Sequence, residues 1–178
     1  MRLDTLTQRM DDLTAQVAEI VKIEKEHSDR VGILIGDRLE RRIATVLPPV
    51  LSERLGLRRT QVVYHPTLLP SSDSGFATSV EDAADRGIIT DEQELRLKVT
   101  DLIMRARRKS DGAEVWVAAE ASGTIDESDV SRAAESAAVL GTVYNEDTAA
   151  VVVGNRIRHE DRELAEAQGV MVLIEDES

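Results

Sequence analysis

Along the first twenty residues, Leu3, Leu6, Met10, Leu13, Val17 and Ile20 recur at alternating spacings of three and four, with Asp, Glu, Gln, Arg and Thr filling the positions between them. This is the a/d seam of a coiled coil, and it lasts about three heptads. The register then meets Glu24 and His27, and the apolar stripe weakens before Ser28-Asp29. A helix with so narrow a seam is not stable alone, so residues 1–30 are predicted to be a coiled-coil helix that joins copies of the chain through residues 3–20.

A second helical pattern runs from Val31 to Leu47, with Gly36, Glu40, Ile43 and Leu47 on one face. Pro48-Pro49 is expected to kink or break it, and a last turn through Val50, Leu51 and Leu55 ends at Gly56. Gln61 to His65 reads as a short strand, Leu69 to Gly75 as an exposed loop, and Ser79 to Arg86 as a short helix closed by Gly87. The centre of the chain reads as a hairpin of two long strands, Arg96 to Arg108 and Ala113 to Ala121, joined by Ser110-Asp111-Gly112. Beyond it come a helix from Asp126 to Tyr144, a strand from Thr148 to Val153, a turn at Gly154-Asn155, a helix from His159 to Gln168 and a strand from Val170 to Ile174. The face of the first of these helices, Val130, Ala133, Ala134, Ala137 and Leu140, is small-sided enough for close approach to a sheet. Continuous apolar strands joined by helices predict an α/β domain over residues 31–178, a mixed sheet flanked by helices with its last strands parallel.

The 178 residues suffice for one well-buried domain and an appendage. Aromatic residues are only 2%, so the core must be aliphatic. Cysteine is absent, which excludes disulfides and a cysteine nucleophile, and three histidines supply a zinc site poorly. Met1-Arg2-Leu3-Asp4 has no signal-peptide pattern and no apolar run approaches the ~20 residues of a membrane span. A cytoplasmic protein without a membrane partner is expected. The net charge of -12 opposes non-specific binding to polyanions, although arginines cluster at 38–42, 54–59 and 105–108.

Each hairpin strand carries one carboxylate in an apolar setting, Asp101 before Leu102-Ile103-Met104 and Glu120 after Val115-Trp116-Val117-Ala118-Ala119. Ionised carboxylates in such places must be paired, hydrogen-bonded or bound to a cation. Two carboxylates, a backbone carbonyl and waters make a hard-oxygen site of the kind Mg²⁺ accepts. The alternative is a buried pair held by arginine or backbone donors. For Glu40, a salt bridge with Arg38 or Arg42 on its own helix competes with a role in a site.

This element order, with one carboxylate on each arm of the hairpin and a glutamate on the preceding helix, resembles the restriction-endonuclease-like PD-(D/E)XK nucleases. It also looks like small bacterial proteins that join an N-terminal coiled coil to such a domain. The resemblance implies Asp101 and Glu120 as ligands of Mg²⁺ or Mn²⁺, Ala121 contributing its backbone carbonyl, Glu40 as an accessory carboxylate, and DNA as substrate. Where the family has its lysine, this chain has Ser122, so a cation must come from elsewhere. Arg132 on the following helix is the first candidate and Lys98 a weaker one. Two functions follow as alternatives: a Mg²⁺-dependent phosphodiesterase acting on DNA, or a non-catalytic binding or scaffold module that keeps the nuclease fold and self-associates through its coil.

Overall fold

In the computed structural model the chain divides into the compact units Met1–Leu34 and Ile35–Ser178, and the structure describes residues 17, 19–22, 38–66 and 74–175. In the first unit, residues 17 and 19–22 are helical, with Val17, Ile20 and Val21 more than half exposed. The rest of the expected seam, Leu3 to Leu13, lies outside the described residues, as does most of the expected loop before Ser74.

The second unit is α/β and is built on five strands that stand in the sheet in chain order: β1 (Leu57–Tyr64), β2 (Leu102–Arg108), β3 (Glu114–Ile125), β4 (Asp147–Ile157) and β5 (Val170–Ile174). The pairs β1–β2 and β2–β3 are antiparallel; β3–β4 and β4–β5 are parallel. The mixed sheet is as expected, because a short turn can join only antiparallel neighbours while a helix must carry the chain back between parallel ones. Helix α1 covers residues 38–54, and the later helices are α2 (Ser74–Asp85), α3 (Asp91–Lys98), α4 (Glu127–Tyr144) and α5 (His159–Ala167).

Side-chain alternation along the strands separates two cores. Leu39, Ile43, Leu47 and Leu51 of α1 share one with Leu102, Met104, Val117, Ala119, Val151 and Val153. On the other face, Ile103, Trp116, Ala118 and Val152 meet Val80 of α2, Leu97 of α3, Ala165 of α5 and the small-sided stripe Val130, Ala133, Ala137 and Leu140 of α4.

Three local expectations are corrected. Residues 91–98 are helical, so the first hairpin strand starts at Leu102 and not at Arg96. A capping box decides this: Gln93 N–H donates to Thr90 Oγ1 at 3.2 Å while Thr90 N–H donates to Gln93 Oε1 at 2.9 Å. The alternating Leu95 and Leu97 suggest a strand, yet only Leu97 is buried. Pro48 and Pro49 do not break α1, which is helical throughout 38–54. Leu47 and Leu51, fully buried on either side of them, hold the helix to the sheet against its intrinsic preference.

Gly154 and Asn155 are part of β4 and not a turn. A Cβ at Gly154 would stand 2.6 Å from the Ser122 carbonyl oxygen and 2.7 Å from Ile125 Cγ1, so glycine is there to let two backbones approach, not to bend the chain. Among the described residues, no helix is long and apolar enough to cross a membrane.

Candidate active site

The β2–β3 register pairs Leu102 with Ala119. One step further back along the same register, Asp101 comes opposite Glu120, so the two carboxylates belong to one face of the sheet. Asp101 stands just ahead of β2 rather than inside it. There its Oδ2 accepts a hydrogen bond from Ala121 N–H at 2.8 Å, occupying a donor of β3 that β2 no longer reaches. Glu120 lies within β3 and is only 3% exposed.

The first two turns of α4 supply the cation and the groups that hold it. Asp126 is the N-cap: its Oδ1 accepts from Ser128 N–H at 2.9 Å and Asp129 N–H at 3.2 Å, and its own N–H donates to Asp129 Oδ2 at 3.0 Å. The other oxygen of Asp129 accepts from Arg132 Nη2 at 2.5 Å, three residues on along the helix. Arg132 also donates from Nη1 to Ser128 Oγ at 3.0 Å and from Nε to Glu120 Oε2 at 3.3 Å. Its side chain is one-third exposed, whereas Glu120 and Asp129 are buried. A guanidinium held from both sides in this way is pre-oriented toward the carboxylate pair.

Three carboxylates and one guanidinium leave negative charge in excess. Burial, and then the Asp101 charge, push the Glu120 carboxyl up to about 8, against the opposing pull of Arg132. Burial also raises Asp101, opposed by the Ala121 N–H, Arg132 and the Glu120 carboxyl. For Arg132, burial disfavours the charge, but Glu120, Asp129 and Asp101 outweigh it and hold the guanidinium above its usual range. Near neutral pH, therefore, the acidic pair keeps a proton. Glu120 Oε1 is buried without a hydrogen-bond partner among the described residues.

The other expected residues fall differently. Ser122 Oγ donates to the Thr124 carbonyl at 2.9 Å at the partly exposed end of β3. Ala121 takes part through its N–H on Asp101. Glu40 is half-buried on α1, the helix of the opposite core, and its carbonyl is 2.8 Å from His65 Nε2. Lys98 is tied to Glu94 at 2.6 Å and Glu81 at 3.4 Å. Among the described residues, no group of three acidic, histidine or cysteine side chains is placed to hold a metal ion.

Sequence reasoning missed Asp129. Its signal was present in the Asp126-x-x-Asp129 cap and in the three-residue step from Asp129 to Arg132. Comparison of the chain with protein-family models, with curated proteins and with solved structures finds no match.

Proposed function

We propose that the α/β unit is a PD-(D/E)XK-type phosphodiesterase acting on DNA with Mg²⁺ or Mn²⁺, in which Arg132 takes the place of the family's lysine. The reading rests on the Asp101/Glu120 pair, opposed on one face at the start of β2, with a buried Glu120 oxygen that no donor satisfies among the described residues. The element order supports it as well, since a helix, a strand, two short helices, an antiparallel hairpin, a crossover helix and a parallel strand follow one another.

The residues fit a hard cation in a limited way. Asp101 Oδ2 is engaged by Ala121 and Glu120 Oε2 by Arg132, so the pair has one further oxygen each to offer. Mg²⁺ commonly takes one or two carboxylates and completes its shell with water and substrate phosphate. Such an ion would polarise a phosphate oxygen and lower the pKa of a bound water. Arg132 would hold a non-bridging phosphate oxygen, and the acidic pair, which keeps a proton near neutral pH, would move that proton to or from water. Ser122 would position water at the open end of β3. Glu40 would contribute as an accessory carboxylate only if α1 brought it round the end of the sheet.

A second reading, a non-catalytic module that keeps the fold, is favoured by one observation. Arg132 already offsets part of the charge that a metal would otherwise offset. In either reading the half-exposed Val17 and Ile20 fit self-association through the N-terminal seam.

The test is thermal melting with and without Mg²⁺ or Mn²⁺, alongside cleavage of plasmid and single-stranded DNA. The phosphodiesterase predicts a metal-dependent rise in Tm that Asp101→Asn abolishes, and cutting that is lost with Asp101→Asn and with Arg132→Ala. Metal-independent melting without cutting would establish the second reading.

A further inference from the structure

We propose that Arg58, Arg59, Arg105 and Arg107 form a strip on the β1–β2 face that binds the phosphodiester backbone of duplex DNA, a role that rests on the reading of DNA as substrate. In a chain of net charge -12, these four cations meet because of strand register. Arg58 pairs with Arg107 and Gln61 with Arg105, so three steps along β1 are matched to two along β2. The extra residue is accommodated as a bulge, and within it Arg59 adopts φ 54°, a left-handed conformation that side chains other than glycine rarely take. Glycine or asparagine would be the ordinary choice there. An arginine kept in that conformation marks a position where the side chain matters more than backbone ease.

The strip is open to solvent. Tyr144, the last residue of α4, stacks on Trp116 at 3.9 Å between ring centres, and Trp116 is opposite Arg105. Beyond that point, toward the hairpin turn, Arg105 and Arg107 are nearly half exposed. A cleft of about 290 Å³ lies among Arg59, Gln61, Arg105, Arg107 and Glu114. Glu114 pairs with both Arg105 and Arg107, and Glu146 lies 3.6 Å from Arg105. Arg58 and Arg59 have no acidic partner among the described residues. The strip therefore keeps two unneutralised, exposed guanidiniums, held on a rigid strand pair beside two more, which is the chemistry that grips phosphate oxygens.

Asp101, Ile103, Arg105 and Arg107 alternate onto one side of β2, with Ile103 between them buried under the helices of that face, so the strip and the carboxylate pair stand at opposite ends of one strand. Six residues separate Asp101 from Arg107, roughly 20 Å at ~3.3 Å per residue. The strip is thus an anchoring surface for the backbone, set apart from the carboxylates, while the acidic remainder of the surface repels other approaches.

The test is fluorescence anisotropy of a labelled duplex of about 20 base pairs with the full chain, in metal-free buffer near 50 mM salt so that binding is separated from cutting. Arg58→Glu with Arg59→Glu should weaken binding at least tenfold and reduce the slope of log K against log salt by about two. Arg158→Glu, an exposed arginine off the strip, should leave binding within twofold. Arg59→Gly should raise Tm by relieving the left-handed residue and still weaken binding; a merely structural Arg59 would move Tm alone. Wild-type affinity in the double variant, or no duplex binding by the native chain, overturns the strip. Duplex binding that depends on Arg58 and Arg59 but is never followed by metal-dependent cutting sinks the catalytic reading and leaves the strip standing. Cutting that survives the double variant unchanged does the reverse.

Discussion

The two faces of the sheet are built on different principles. The α1 face is aliphatic almost throughout: Leu39, Ile43, Leu47 and Leu51 close over leucine, valine, methionine and alanine of the strands. Its polar exception is His65, buried with its ring nitrogen on the Glu40 carbonyl. The α4 face carries buried Glu120, Asp129, Thr100 and Ser136, each placed by a named hydrogen bond, together with Trp116 bonded to Glu146. One face is held by shape and the other also by specific donors and acceptors. Burial without directional bonds tolerates change in chemistry only at constant volume, whereas a polar network fixes particular atoms in particular places, here with Glu120 Oε1 left without a donor among the described residues. Fixed atoms are what a reactive site requires.

The α1 face should be broken most by loss of volume. Leu47 is completely buried in the middle of α1, so Leu47→Ala should cost about 3 kcal/mol in urea unfolding. The pH dependence of stability should be unchanged, because no titrating group of the site is on that face. A cost below about 1 kcal/mol would mean that α1 rearranges over the sheet, and the contrast between the faces would fail.

How far the sequence spoke for each face follows from the same difference. Apolar periodicity announces a face held by shape, and the stripe of α4, the mixed sheet and its parallel end were legible. The stripe of α1 was legible in part, since Ile43 and Leu47 are buried with Leu39 where Glu40 was expected. The limits of β1, α2, β2, β3 and β4, and α3 as a helix, were not. Thr90 and Gln93 outweigh the strand-like Leu95 and Leu97 only when their reciprocal hydrogen bonds are drawn, and Gly154 reads as a turn until Ser122 is known to approach it. For the site, the hairpin pattern put one carboxylate on each of two adjacent strands, and only the observed register sets Asp101 opposite Glu120. Asp129 and the grip of Arg132 depend on the rotation of α4 about its axis over β3, which a spacing of three residues suggests and only packing fixes.

The polar face should declare itself through pH. Glu120 titrates at about 8 in the folded chain against an ordinary 4.5. Between those values the unfolded chain has released the proton and the folded chain retains it, so each rise in pH favours unfolding. Stability should fall from about pH 5 to about pH 8 and then level, and the raised Asp101 acts in the same direction. Glu120→Gln cannot lose a proton, so its Tm should be flatter across this window and should exceed that of the native chain at pH 8. A native Tm that does not change between pH 5 and 8 would show that the pair is ionised and compensated, and would remove the main electrostatic distinction between the faces.

The smallest expected effect is also the most local. Thr100 and Ser136 are both fully buried, with their hydroxyl oxygens 2.9 Å apart. Thr100 Oγ1 donates to the Arg96 carbonyl at 2.9 Å. A hydroxyl has one proton, so Ser136 must be the donor between the two. The roles are therefore unequal. Ser136→Ala removes a donor and leaves Thr100 still bonded to Arg96, which should cost about 1 kcal/mol. Thr100→Val removes the acceptor and the bond to Arg96 together, and it leaves the Ser136 proton to find another partner in the interior. That should cost about 2 kcal/mol. The double variant should be less destabilised than the sum of the two, because the shared bond is lost only once. Strict additivity would mean that the hydroxyls merely lie side by side. Thr100 also precedes Asp101 directly, so the bond pins the start of β2 to the middle of α4, the helix that carries Arg132. If the polar face fixes its atoms as argued, Thr100→Val should also blunt the fall in stability between pH 5 and 8, whereas Leu47→Ala, despite its larger cost, should not.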